Sequence, residues 1–86
     1  MNIFKNQEDE SVSREIERLD AELEEIRQQK DMCLKRKKEL MSEEKPSEGV
    51  FFHDEIHSMQ MEALRLEVEA ETRRKKINRL RLGYES

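Results

Sequence analysis

His53 and His57 stand four residues apart in His53-Asp54-Glu55-Ile56-His57, the spacing that sets two imidazoles on one helical face where they can share a metal ion. A firm chelate needs a third ligand, and none is spaced to supply it: Cys33 lies in the other half of the chain and falls opposite Ala63 when the two halves are aligned. The histidines therefore read as solvated or capping side chains, and no metal or other cofactor is expected. Cys33 is the single cysteine. The lysines from Lys35 to Lys38 would lower its pKa and favour a thiolate, but its place in an apolar series reads as a small packing residue. One cysteine excludes an internal disulfide framework and agrees with a reducing compartment. The acidic residues are many and regularly spaced, with nothing to build the dry, concave site that would set two of them apart as acid and base. There is no Gly-rich phosphate loop and no Ser/His/Asp set held by a plausible scaffold. No catalytic residue is nominated, and the chain reads as a non-enzyme.

The basic run Arg73-Arg74-Lys75-Lys76-Ile77-Asn78-Arg79-Leu80-Arg81-Leu82 is the strongest nucleic-acid or nuclear-import signal, carried by Arg73, Arg74, Lys75, Lys76, Arg79 and Arg81. Locally it resembles the basic segment that leads into the first helix of basic helix-loop-helix factors, which would imply DNA contact. The acidic run ahead of it lacks base-reading residues, and the basic residues overlap the end of a heptad series, whereas in leucine-zipper factors they precede it. The preferred role is charge complementation of an acidic helix. Contact with nucleic acid, an acidic protein partner or an import receptor stays open, as it does for the shorter run Lys35-Arg36-Lys37-Lys38.

These residues must be positioned by helices. With 34% hydrophobic and 44% charged residues over 86 positions, the chain has the composition of long charged helices and too little apolar material for a multilayer core. Two Gly, one Pro and no Trp fit neither a strand-and-turn fold nor a Pro/Gly-rich linker. No apolar run approaches the roughly 20 residues of a membrane span, and the first residues lack a signal peptide's apolar core. An intracellular protein, cytoplasmic or nuclear and without membrane contact, is expected. The net charge of −4 argues against indiscriminate phosphate binding.

From Phe52 to Tyr84 a stripe recurs at alternating steps of four and three: Phe52, Ile56, Met59, Ala63, Leu66, Ala70, Arg73, Ile77, Leu80 and Tyr84. Only a helix presents such positions to one partner. A second stripe runs through Val12, Ile16, Leu19, Leu23, Ile26, Lys30, Cys33, Lys37 and Leu40. Residues 1–10 show no helical period and read as a flexible leader, although Ile3 and Phe4 suit a docking hook. Pro46 disfavours helix at Lys45 and lacks an amide donor, and Gly49 relaxes the backbone just beyond. The expectation is a helix over about 11–44, a turn over 45–50 and a helix over about 51–82, so that 11–86 form one helical hairpin.

Charge sets its orientation. Both halves run from acidic to basic, so folding back puts acid beside base at both ends, while a parallel arrangement sets like against like. The alignment that centres the turn between Pro46 and Gly49 pairs Ile16 with Leu80, Leu19 with Ile77, Leu23 with Arg73, Ile26 with Ala70, Lys30 with Leu66, Cys33 with Ala63, Lys37 with Met59 and Leu40 with Ile56; Val12 meets Tyr84. The layers holding Lys30, Lys37 and Arg73 are the weak ones.

Leu34 and Met41 on the first helix, with Met61, Leu64 and Val68 on the second, fall off this seam and read as a second interface. A two-helix hairpin of this size is marginal alone. The fold expected is therefore all-α: an antiparallel two-helix coiled-coil hairpin, dimerising into a four-helix bundle or exchanging helices across the Pro46 turn. The function expected is a protein–protein interaction module, an assembly, scaffold or adaptor subunit whose partners are a second copy and an unidentified protein. A small regulator binding and blocking a partner protein is the first alternative, and a nucleic-acid-associated protein the second.

Overall fold

In a computed structural model of the chain, residues 3–83 are described, with side chains from Glu10 to Gly83. Helix α1 spans Ile3–Glu43, a short 3-10 turn spans Pro46–Glu48 and helix α2 spans His53–Leu82. The two helices pack against each other as a hairpin, and no strand occurs among the described residues. Helix α1 begins at Ile3, well upstream of the start expected near residue 11, and so takes in most of the segment read as a leader. The physical reason lies in helix cooperativity: once a helix is nucleated, a stretch free of Pro and Gly extends it one hydrogen bond per residue, with no apolar stripe required. The hook read at Ile3 and Phe4, and the seam position Tyr84, lie outside the described side chains.

Between the helices the chain reverses through a hydrogen-bonded clip. The Lys45 N–H donates to the Val50 carbonyl (2.9 Å) and the Val50 N–H to the Lys45 carbonyl (3.0 Å). Pro46 opens the 3-10 turn, where its missing donor costs nothing, and Gly49 closes it at φ 73°, a left-handed conformation that a Cβ would strain. Phe52 precedes α2 rather than belonging to it. Its N–H donates to Glu44 Oε2 at 3.1 Å, so the last side chain of the first half caps the second helix from outside it. At the far end Gly83, at φ 77°, turns its N–H back to the Arg79 and Leu80 carbonyls and ends α2.

The seam lies where the stripes place it. Leu19, Ile77 and Leu80 form one buried cluster with Val12, Ile16 and Leu23 against it. Ile26, Leu66 and Ala70 form a second, with Leu23 and Cys33 against it. Ala63 and Leu40 are also buried, and Leu40 and Leu66 are each only 2% exposed. Phe52, Ile56 and Met59 are half-buried, as are the three charged seam residues Lys30, Lys37 and Arg73. Burying a leucine in such a layer contributes about 1.5 to 3 kcal/mol, so a few leucines and isoleucines hold most of the helix–helix contact. No described helix is long and apolar enough to cross a membrane.

Candidate interaction surface

The hairpin has two flanks, one on each side of the seam, and they differ. One is closed by a ladder of ion pairs. Lys76 Nζ on α2 lies 3.6 Å from Glu15 on α1; Glu15 also holds Arg18; Arg18 Nη1 reaches Glu22 at 2.7 Å; and Glu22 takes Arg73 Nε from α2 at 2.8 Å. Arg73 also donates to the Glu69 carbonyl at 3.1 Å, and Glu69 is held by Arg65, which Glu62 grips as well. The ladder thus stitches the acidic half of α1 to the basic end of α2, as the charge pattern requires. A hydrogen bond from Arg73 draws the Glu22 carboxyl below its ordinary pKa, with Arg18 assisting. For Glu15 the hydrogen bond from Arg18 acts first in the same direction, and Lys76 adds to it.

The other flank carries fewer ions and more carbon. Lys30, on a seam position of α1, leans outward so that its Nζ meets Glu67 on α2 at 2.8 Å, and Arg74 reaches the same carboxylate at 3.3 Å. Those two donors, Lys30 first, hold the Glu67 carboxyl below its usual range. A shallow groove on this flank is lined by Asp20, Arg27, Leu34, Glu67 and Arg74 among others, with Ile26 and Ala70 at its floor. Met41 lies two turns beyond Leu34 on α1, and Leu64 one turn before Glu67 on α2, so both share this flank. Met61 and Val68 border Leu64 on the outer edge of α2.

All five residues of the expected second interface are exposed: Leu34 42%, Met41 55%, Met61 49%, Leu64 54% and Val68 66%. Phe51, Met32 and Leu82 are exposed too and were not foreseen as surface anchors. Phe51 stacks on His53 with ring centres 5.4 Å apart, and this contact involves one of the two histidines considered as ligands. His53 and His57 are both exposed. Among the described residues no three His, Cys, Asp or Glu side chains gather as a metal site. Cys33 is free and half-buried beside the Ile26 cluster.

Of the basic run, Arg73, Arg74 and Lys76 are engaged by carboxylates of the hairpin itself. Lys75 and Arg81 are exposed. Glu44 is the residue the sequence reading missed. Its type and position gave no signal, because its role depends on where the Phe52 amide falls after the reversal.

No family model matches the chain, and no curated protein and no solved structure matches it.

Proposed function

We propose that the hairpin is a non-enzymatic coiled-coil interaction module, an assembly, scaffold or adaptor subunit that self-associates through the Leu34 flank, most simply as a dimeric four-helix bundle. The observation that carries this reading is the set of five exposed apolar side chains off the seam, Leu34, Met41 and Leu64 on the flank that the ion-pair ladder does not close and Met61 and Val68 beside them on the outer edge of α2. Scattered surface leucines are ordinary; an apolar strip spanning two helices on one side is a surface that association would cover. The engagement of Arg73, Arg74 and Lys76 within the hairpin favours charge complementation over phosphate binding as the use of the basic run.

Sedimentation equilibrium at micromolar concentration tests it. A dimer is expected for the natural chain, and a monomer of unchanged helix content for Leu64→Glu. A natural chain that sediments as a monomer would remove the reading.

A further inference from the structure

We infer that two copies associate with their turns at the same end, each α1 lying along the α2 of the other copy. The inference rests on the self-association proposed above and adds to it the orientation and the pairing.

The five apolar residues are not spread along the length of the hairpin. Leu34 and Met41 lie in the last part of α1, and Met61, Leu64 and Val68 in the first part of α2, so all occupy the half of the hairpin nearer the turn. The half away from the turn is charged on the same flank, with Asp20 and Glu24 of α1 beside Arg74 of α2 along the groove. Glu17, one turn before Asp20, extends the acidic side, and Lys75 and Arg81 extend the basic side; all three are exposed.

Two hairpins meeting flank to flank have two symmetric choices. With the two-fold axis parallel to the long axis, each height of one copy meets the same height of the other, and α1 lies on the second copy's α2. Leu34 then lies against Met61 and Leu64, Met41 falls nearer the turn at the height of Ile56, and Asp20 and Glu24 meet Arg74 and Lys75. Around Leu34 apolar meets apolar, farther from the turn acid meets base, and the helices alternate in direction as in the hairpin itself. With the axis across the long axis the turns lie at opposite ends. Leu34 and Met41 then face the acidic stretch around Glu17 and Asp20, which desolvates carboxylates against carbon without a partner. Sliding the copies until only the apolar halves overlap leaves the charged halves uncovered and shortens the contact. The turns-together arrangement alone uses the whole flank.

A nitroxide attached at Ser47, in the turn, reads the orientation directly. The chain carries Ser47→Cys in a Cys33→Ala background, with Cys33→Ser as the second background, and electron–electron resonance is recorded at a concentration where sedimentation is run in parallel. Turns stacked at helix-packing spacing give one interchain distance of about 20–30 Å once the label arms are included. Turns at opposite ends give a distance approaching the 74 Å length of the molecule. A dimer with the long distance overturns the orientation and leaves self-association standing. A monomer by sedimentation overturns both.

Discussion

Arg73 on α2 donates its Nε–H to Glu22 on α1 across 2.8 Å, although its backbone occupies a position of the apolar seam. The arginine lies in the layer with Leu23, between the two buried clusters, and its guanidinium leaves that layer to join the ion-pair ladder on the flank. Such a residue gives up packing energy for a fixed alignment, since sliding one helix by a turn would strand it against carbon. Arg73→Leu should therefore raise stability by about 1 kcal/mol, the burial of a seam leucine less the ion pair given up, since Glu22 keeps Arg18 as its partner, and should widen the range of alignments the helices sample. Urea unfolding checks the first effect, and paramagnetic labels across the hairpin the second. A lower urea midpoint for Arg73→Leu would show that the ion pair stabilises more than the layer it displaces.

The carboxylates of Glu15, Glu22 and Glu67 are all drawn below the ordinary glutamate value of 4.5 by their cationic partners. A carboxyl whose pKa is lower folded than unfolded contributes stability that is present above the unfolded value and lost as pH falls through the folded one. The melting temperature followed by circular dichroism should hold near neutral pH and fall as the solution is taken from pH 5 to pH 3. Replacing Glu22 and Glu67 together by Gln should flatten part of that fall. These side chains are partly solvated, so each pair acts weakly and the fall should be gradual.

Leu66 and Leu64 sit two residues apart on α2 and should respond to truncation in opposite ways. Leu66 is 2% exposed within the Ile26 cluster, and Leu66→Ala should cost about 2–5 kcal/mol through lost burial and the cavity left behind. A hairpin of this size has little to spare, so most of the helical signal should disappear. Leu64 is 54% exposed, and Leu64→Ala should leave the unfolding of an isolated hairpin within about 0.5 kcal/mol while weakening association. Chemical denaturation at two protein concentrations separates these effects.

Much of the hairpin was legible because a stripe repeating every three and four residues has one geometric meaning, and Pro46 leaves few places to reverse. Lys30 and Arg73 stood out in the sequence as weak layers, but the route by which each escapes the seam did not. Whether Arg73 chooses Glu22 or a neighbouring acid depends on side-chain reach across the groove, which heptad position does not encode. Glu44 was illegible for a related reason, since capping α2 from the end of α1 is a contact made only by the turn. The start of α1 was misplaced because amphipathic period marks where a helix packs, and a helix can continue past its packing. For the proposed second interface the sequence singled out five apolar residues, all of them exposed, but that Leu34 lies on the flank opposite the ion-pair ladder emerged only once both helices were in place.

The turn gives the sharpest test of the hairpin itself. Pro46 begins the 3-10 segment and Gly49 supplies its left-handed residue, while the paired Lys45 and Val50 hydrogen bonds exist only with the chain reversed. Replacing Pro46 and Gly49 together by Ala removes the helix breaker and puts a Cβ where φ 73° opposes it. Each change favours helix through the junction, so the chain should straighten toward one rod of about 120 Å at 1.5 Å per residue, in place of a molecule 74 Å long. The same seam residues would then be satisfied only between chains, and the assembly should change with the shape. Small-angle scattering of both proteins at matched concentration reads the maximum dimension. An unchanged profile would mean that acid–base pairing of the two helices, rather than the Pro46–Gly49 turn, is what reverses the chain.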